Sequence, residues 1–262
     1  MSKDKLSEYL IFRETTKRLL LVIGLWPGEQ PGLLCRFFTY LQIIFSLGTI
    51  MAMSSYVRVH VNNVAAVTKS MGILVSYVTV VLKLSWMFLN RERVARLHQM
   101  LDPCFLDFLS GSQEKNILDG VTTFRRLSLI LTALIGAAAS LYIFMPLAFV
   151  IYQHLHHVEN IKYILVYPAI YPWEISPNGL LYKLHYISEA TPNIALMCVT
   201  AGVDSLFTLH VFQMIGRLRK MSYCILNAGR NSNYKKAVRQ CVSQHETLLE
   251  CRDILEKVYG PM

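Results

Sequence analysis

The stretch that decides the fold is LSLILTALIGAAASLYIFMPLAFVIYQ, residues 127–153, which follows the basic pair Arg125-Arg126 and contains no charged side chain. A membrane-spanning helix needs about 20 mostly apolar residues to cross roughly 30 Å of hydrocarbon. The small residues 136–140 in the middle of this stretch would let a second helix approach closely. Pro146 predicts a kink near its far end. The sequence therefore predicts a membrane-spanning helix over 127–153.

Three further windows are long and apolar enough to span a membrane, although two of them contain charged residues. Lys83 interrupts one window, and its long stem could carry the ammonium group toward the nearby membrane interface. Another contains Pro192 near its start and Asp204 in its middle. Together these positions predict four spans in an all-α, multi-pass helix bundle, with the additional windows at 37–57, 64–89 and 190–216.

The composition excludes a water-soluble globular protein of this length. Hydrophobic residues make up 53% of the 262 residues and charged residues only 16%, whereas soluble domains carry about 25% charged residues. The net charge of +9 is divided among separate segments. A nucleic-acid-binding protein would gather its basic residues into one patch or stripe, so nucleic acid is not an expected partner.

The basic residues also predict which side of the membrane each segment faces. Counts of Lys and Arg alternate between six, two, six, two and nine along the chain, where Lys69, near the start of the window 64–89, is counted with Arg58 in the second group. Since cytosolic segments carry the excess of basic residues, both the amino-terminal segment and the last segment are predicted to be cytosolic. The predicted organisation is a cytosolic segment 1–36, spans 37–57 and 64–89, a cytosolic loop 90–126, a span 127–153, an outer loop 154–189, a span 190–216 with an alternative start near Leu180, and a cytosolic helical segment 217–262.

The sequence carries no motif of an enzyme or of a cofactor site. No phosphate-binding glycine motif, HExxH or Gly-x-Ser-x-Gly occurs in it. His154, His156 and His157 lie together at the end of the third window, but a short histidine tract without nearby metal-ligand spacing favours a solvated interfacial segment over a metal site. None of the six cysteines lies in a segment predicted to face the outside, so no disulfide is expected.

Five short motifs occur in an order that resembles the insect odorant receptors, with the large repertoires of ants, bees and wasps as the nearest pattern. Each motif is weak alone, and the resemblance rests on their order and on the predicted cytosolic amino terminus. The motifs are Gly24-Leu25-Trp26-Pro27, the outer-loop stretch Tyr167-Pro168-Ala169-Ile170-Tyr171-Pro172-Trp173, Asp204-Ser205-Leu206-Phe207, Cys241-Val242-x-x-His245-x-x-Leu248-Leu249, and Leu255-Glu256-x-x-Tyr259-Gly260-Pro261.

The resemblance implies a seven-helix olfactory receptor subunit that binds volatile odorants and forms an odorant-gated cation channel with a shared co-receptor. It also implies a hetero-oligomer, tetrameric in stoichiometry, in the plasma membrane of sensory dendrites, surrounded by membrane lipid. No apolar window of spanning length follows Gly216, so the chain is expected to be truncated before the fifth span and to lack the pore helix. The alternative is a non-conducting four-helix membrane scaffold or interaction protein.

The predicted odorant pocket lies between helices in the outer half of the membrane, where apolar side chains supply affinity and a few polar groups fix orientation. Tyr77 and Ser140 are the candidate polar contacts, and packing against neighbouring helices or lipid is the alternative for every residue of the set. Tyr163, Tyr167 and Trp173 are expected to form an interfacial belt and a lid. Asp204 is expected either to contact another helix in a structural or gating role or to lie at a cytosolic helix end. The candidate ligand contacts are Met71, Leu74, Val75, Tyr77, Val78, Ser140, Ile143, Phe144, Leu147, Met197 and Ala201.

Overall fold

A computed structural model describes residues 2–27, 32–111, 120–158, 161–173, 179–228 and 234–262. All the regular elements within these residues are α-helices. In chain order they are α1 Ser2–Val22, α2 Leu33–Val59, α3 Val64–Leu89, α4 Arg91–Gly111, α5 Val121–Leu155, α6 Leu180–Ala228 and α7 Tyr234–Tyr259.

Four of these helices are long and apolar enough to cross a membrane, in the parts 36–59, 64–89, 121–155 and 180–226. The predicted windows 37–57 and 127–153 lie inside α2 and α5, and the window 64–89 coincides with α3. The fourth helix is longer than its window 190–216, because α6 begins at Leu180, the alternative start, and continues to Ala228. The connection between α5 and α6 is therefore shorter than the predicted loop 154–189.

The amino-terminal helix α1 was not predicted, because the segment is too charged and its apolar run too short to suggest a span. Its inward side chains nevertheless recur at helical spacing. They are Tyr9, Phe12, Thr16, Leu20 and Ile23, each at most 2% exposed. This face packs against α5 and α6, so α1 is a buried amphipathic helix.

The first motif of the resemblance forms the turn after α1. Gly24 has a φ of +70°, a left-handed conformation that glycine adopts at low cost, and the backbone N–H of Leu25 donates to the Leu20 carbonyl at 2.9 Å. The turn directs Trp26, which is 3% exposed, against His98 of α4, with their ring centroids 4.8 Å apart. Burial lowers the pKa of His98. The motif therefore joins α1 to α4.

A second junction of α1, α4 and α6 lies at the same end of the bundle. The Asp102 carboxylate accepts hydrogen bonds from Arg13 Nε at 2.9 Å and from Gln213 Nε2 at 2.9 Å. Gln213 Nε2 also donates to the Tyr9 hydroxyl at 2.8 Å. Because buried polar groups are costly unless paired, this network fixes the relative positions of the three helices.

The exposed surface of α5 is apolar, as expected of a helix that faces lipid. Leu134 is 65% exposed, and Phe144 and Met145 are each 63% exposed. Exposed apolar side chains are costly in water but not in hydrocarbon. In contrast, α6 contacts all six of the other described helices, and its residues Ala195, Val199 and Leu206 are fully buried. Helix α6 is thus the central helix of the bundle, and α5 lies at its periphery.

Candidate functional site

A cavity of about 570 Å³ opens between α3, α5 and α6, beneath residues of the α5–α6 connection. On the orientation predicted from the basic residues, it lies in the outer half of the spans. Its walls are mostly apolar, with a lysine, four hydroxyl-bearing helix residues and an asparagine among them. The lining residues are Lys69, Gly72, Ile73, Val75, Ser76, Thr79, Ile135, Ala138, Ala139, Tyr142, Tyr167, Asn193, Leu196 and Thr200.

Small residues of α5 set the wall that faces α6. A Cβ atom added to Gly136 would lie 3.4 Å from Met197 Sδ, which leaves little room for a larger side chain at this crossing. One turn further along, Asn193 Nδ2 donates to the Ala139 carbonyl at 2.7 Å. The small residues 136–140 thus permit the close approach of a second helix that the sequence predicts, and α6 is that helix.

The hydroxyl groups on the α3 wall donate to their own helix. Ser76 Oγ bonds the Gly72 carbonyl at 2.9 Å, and Thr79 Oγ1 bonds the Val75 carbonyl at 2.9 Å. Their donors are therefore in use, whereas Asn193 Oδ1 has no hydrogen-bond partner among the described residues. Asn193 Oδ1 is thus a buried acceptor without a described partner beside the cavity, whose walls also include Lys69, Tyr142 and Thr200.

The roof of the cavity is Tyr167, which the α5–α6 connection inserts into the bundle. Its side chain is 3% exposed, its hydroxyl accepts a hydrogen bond from the Tyr77 hydroxyl, and its ring lies 5.6 Å from that of Tyr142. Burial raises the pKa of Tyr167. Tyr167 thus fits the predicted lid, whereas Trp173 is 50% exposed and donates to His185 Nε2 at 2.8 Å.

A buried carboxylate on α6 holds this roof. Glu189 is 1% exposed and accepts hydrogen bonds from the backbone N–H groups of Val166 at 3.0 Å and Tyr167 at 3.4 Å, and from the Tyr171 hydroxyl at 2.7 Å. Burial, followed by the charge of Glu189, raises the pKa of Tyr171. The sequence predicted no role for Glu189, because nothing in the local pattern shows that it lies on a helix facing the connection.

The structure brings few of the predicted ligand contacts to the cavity. Val75 lines it, and Tyr77 lies behind the roof through its bond to Tyr167. Ala201 is fully buried, Met197 packs against the inner core, and Leu74 packs beside Tyr77. The Ile143 carbonyl accepts a hydrogen bond from Tyr186. Val75 is exposed, as are the remaining members of the predicted set, which are Met71, Val78, Ser140, Phe144 and Leu147.

The missed lining residues share a signal that the sequence contains. They recur at helical spacing, as in 72, 76 and 79 on α3, 135, 138 and 142 on α5, and 193, 196 and 200 on α6. The predicted ligand contacts recur at the same spacing, as in 71, 74, 75 and 78 on α3 and 140, 143, 144 and 147 on α5, but they mark another face of each helix. Asn193 also stood out as a polar residue within a span, a feature that marks functional positions in membrane proteins.

Below the cavity, a lysine of α3 meets an aspartate of α6. Lys83 Nζ donates to Asp204 Oδ1 at 2.7 Å, with the two side chains 17% and 46% exposed. The ammonium of Lys83 therefore meets a partner within the bundle, and Asp204 makes the interhelical contact that was one of its two predicted roles. Nearby, Trp86 Nε1 donates to the Val258 carbonyl at 2.7 Å, which ties the end of α7 to α3.

The described residues contain no group of three His, Cys, Asp or Glu side chains placed to hold a metal ion. His154 and His156 at the end of α5 are exposed, as is His157.

Fold and cavity together define a class of protein, an all-α, multi-pass membrane protein with a ligand-sized cavity inside its helical bundle.

A sequence profile described as "7tm Odorant receptor" matches residues 63–262. The chain belongs to this odorant receptor family, whose members are receptors and not enzymes. The predicted resemblance to the insect odorant receptors is therefore confirmed. A comparison with curated proteins found no significant match.

Two solved structures of the insect olfactory receptor OR5 from Machilis hrabei share the fold. One is a complex with eugenol, matched with a TM-score of 0.65 and 12% identity over 96% of this chain and 66% of that one. The second structure of this receptor matches with a TM-score of 0.65 and 12% identity, over 96% of this chain and 67% of that one. This chain thus spans about two-thirds of the length of the receptor it matches.

Proposed function

We propose that this chain is the odorant-recognising portion of an olfactory receptor subunit and that volatile organic molecules bind in the cavity between α3, α5 and α6. The observation that carries the proposal is the cavity itself, with mostly apolar walls and a buried tyrosine roof. Family membership supports it, as does the Machilis hrabei receptor, which was solved with eugenol. The receptor works with a co-receptor, in a hetero-oligomer of four subunits, as an odorant-gated cation channel in the plasma membrane of sensory dendrites.

The proposed affinity comes mainly from burial of ligand carbon. A ligand that removes about 250 Å² of apolar surface from water gains about 6 kcal/mol at 25 cal/mol per Å². The loss of translational and rotational freedom offsets part of this gain. Binding is therefore weak in absolute terms and depends on how well the ligand fills the space.

A side chain that fills the cavity should abolish binding. Ala138 lines the cavity and its neighbour Ala137 does not, although both are exposed on α5. In lipid nanodiscs, Ala138→Phe should reduce the binding of 2-phenylethanol at least about 10-fold, because the new ring occupies the ligand's space. Ala137→Phe adds the same ring toward lipid and is the matched control. Headspace gas chromatography above protein-loaded and empty nanodiscs measures the bound fraction directly.

Two outcomes would contradict parts of the proposal. Equal binding by the wild type, Ala138→Phe and Ala137→Phe would show that volatiles do not use this cavity. If binding follows the proposal but co-expression with the co-receptor gives no odorant-evoked cation current, ligand recognition stands and the channel role of this chain does not. That second result is the one expected of a non-conducting scaffold.

A further inference from the structure

Lys69 is the one charged side chain among the described residues that line the cavity. It lies in the second turn of α3 and is exposed. Its ammonium group forms no ion pair or hydrogen bond with the described residues. An ionisable residue within a span is costly and marks a functional position whose partner has to be identified. The described contacts between the helices do not supply that partner.

The position of Lys69 along α3 places it at the mouth of the cavity. The lining residues of α3 extend from 69 to 79, about 15 Å at 1.5 Å per residue. Lys69 is the one nearest the start of the helix, the end that the basic residues predict to be outside. Because helical side chains lean toward the amino terminus of their helix, its ammonium group is directed toward the outer opening. The space beneath it is lined by apolar side chains, among them Ile73, Ile135 and Leu196.

The other polar groups of the wall do not compensate this charge. The described lining residues include no Asp or Glu. Ser76 and Thr79 each donate to a carbonyl one turn earlier in α3. The hydroxyl groups of Tyr142 and Thr200 are further donors of the wall, and neither makes a hydrogen bond within the described part of the chain. A wall with one cation and several donors suits a ligand that brings a negative charge and accepts hydrogen bonds.

We infer that the cavity selects amphiphilic carboxylates, whose carboxylate binds Lys69 at the mouth and whose apolar skeleton fills the space beneath, over neutral molecules of the same shape. This inference rests on the proposed function, since it names the ligand class of the same cavity. Carboxylic acids are ionised at neutral pH. A hydrogen bond between an ammonium group and a carboxylate is stronger than one between neutral groups, while burial of the skeleton supplies the rest of the affinity.

The test compares two molecules that differ only in their head group. 3-Phenylpropanoate and 3-phenylpropanamide share their skeleton and have head groups of similar shape, but only the first carries a charge. Equilibrium dialysis against phosphatidylcholine nanodiscs that hold the full 262-residue chain, with empty nanodiscs subtracted, gives a dissociation constant for each at neutral pH. The carboxylate should bind about 5-fold more tightly, the effect of one partly exposed ion pair.

The outcomes separate this inference from the proposed function. If the amide binds as tightly as the carboxylate or more tightly, and Ala138→Phe weakens both, the inference is overturned and the cavity remains the odorant site. If neither molecule binds but 2-phenylethanol binds with the expected sensitivity to Ala138→Phe, the inference alone fails. If none of the three binds, both fail.

Variants of two outer lysines place the selectivity on Lys69. Lys69→Gln removes the charge at an exposed position, so the preference for the carboxylate should fall to about 1-fold while the amide binds as before. Lys69→Arg keeps a cation and should keep most of the preference. Lys183→Gln is the matched control, because Lys183 is also exposed, near the start of α6, and does not line the cavity.

Thr200→Val is the control at the other end of the cavity. Thr200 is the lining residue of α6 farthest from the start of that helix, so the loss of its hydroxyl group should leave the preference intact. An undiminished preference in Lys69→Gln, or an equal loss in Lys183→Gln or Thr200→Val, would overturn the role of Lys69. If Lys69→Gln does not fold, the comparison of the two molecules on the wild-type chain still decides whether the cavity selects carboxylates.

Discussion

Glu189 shows how one side chain can fix a connection that has no regular structure. Its carboxylate receives three hydrogen bonds from residues 166–171, and they hold Tyr167 over the cavity. Carboxylate acceptors form stronger hydrogen bonds than neutral groups do. The roof therefore depends on a charge in α6 and not on contacts within the connection itself.

Replacing this carboxylate by an amide should loosen the roof. In Glu189→Gln the amide oxygen can keep the two backbone N–H donors while the NH₂ group donates to the Tyr171 hydroxyl, so the change removes the charge that strengthens these hydrogen bonds, at a cost of about 1 kcal/mol. Hydrogen exchange followed by mass spectrometry should show faster exchange at the amides of Val166 and Tyr167.

Ser188→Ala is the control for this change. Ser188 is adjacent in α6 and bonds only the His185 carbonyl, at 2.9 Å, so its loss should leave the amides of the roof protected. Unchanged exchange in Glu189→Gln would mean that aromatic packing alone, between Tyr167 and Tyr142, holds the roof.

The sequence predicted some helices more completely than others. An uninterrupted apolar run marks α5, and the small residues within it indicated a close helix neighbour. The start of α6 lies outside its apolar window, because residues 180–189 mix apolar with polar side chains and become helical by packing against the connection. In α1 the apolar side chains recur at helical spacing, but the charges between them concealed the pattern from a search for spans.

The contacts between side chains of different segments could not be predicted from the pattern of any one helix. The pairing of Asn193 with Ala139, of Glu189 with the α5–α6 connection, and of Lys83 with Asp204 each joins residues of two segments. A single sequence contains the members of such pairs but not their distances. The cavity lies between α3, α5 and α6, the helices from which the ligand contacts were predicted, but of those contacts only Val75 lines it.

The ion pair between α3 and α6 should be a coupled unit. Removing one partner leaves a charge without its counterpart at a depth where water is scarce. Lys83→Met or Asp204→Leu should each lower the free energy of unfolding by about 1 to 3 kcal/mol, and the double variant should cost less than the sum of the two. Denaturant titration in detergent micelles measures the free energy of unfolding of the wild type, the two single variants and the double variant.

An exposed ion pair in the same chain provides the control cycle. Arg96 and Glu250 join α4 to α7 at the surface, with side chains 66% and 46% exposed. Pairs of this kind contribute about 0.5 kcal/mol or less. A coupling energy for Lys83 and Asp204 no larger than that of Arg96 and Glu250 would contradict a structural role for the inner pair.

At the scale of the whole molecule, the four candidate spans and the alternating basic segments predict a cytosolic amino terminus. Asn62 and Ser243 are exposed at opposite ends of the bundle, between α2 and α3 and on α7. A membrane-impermeant maleimide applied to intact cells should label Asn62→Cys, whereas Ser243→Cys should react only after the membrane is permeabilised.

The native chain is the control for this labelling. Its six cysteines all lie in segments predicted to be cytosolic or within a span, so intact cells expressing it should show only background labelling. Labelling of Ser243→Cys in intact cells would reverse the predicted orientation and would place the cavity toward the cytosol.

The length of α6 has a mechanical consequence. Its 49 residues extend about 74 Å at 1.5 Å per residue, more than twice the roughly 30 Å thickness of the hydrocarbon layer. Asp204, paired with Lys83, has 24 residues of the helix on either side. A rigid tilt of α6 by about 5° about this ion pair would therefore move each end of the helix by about 3 Å, in opposite directions.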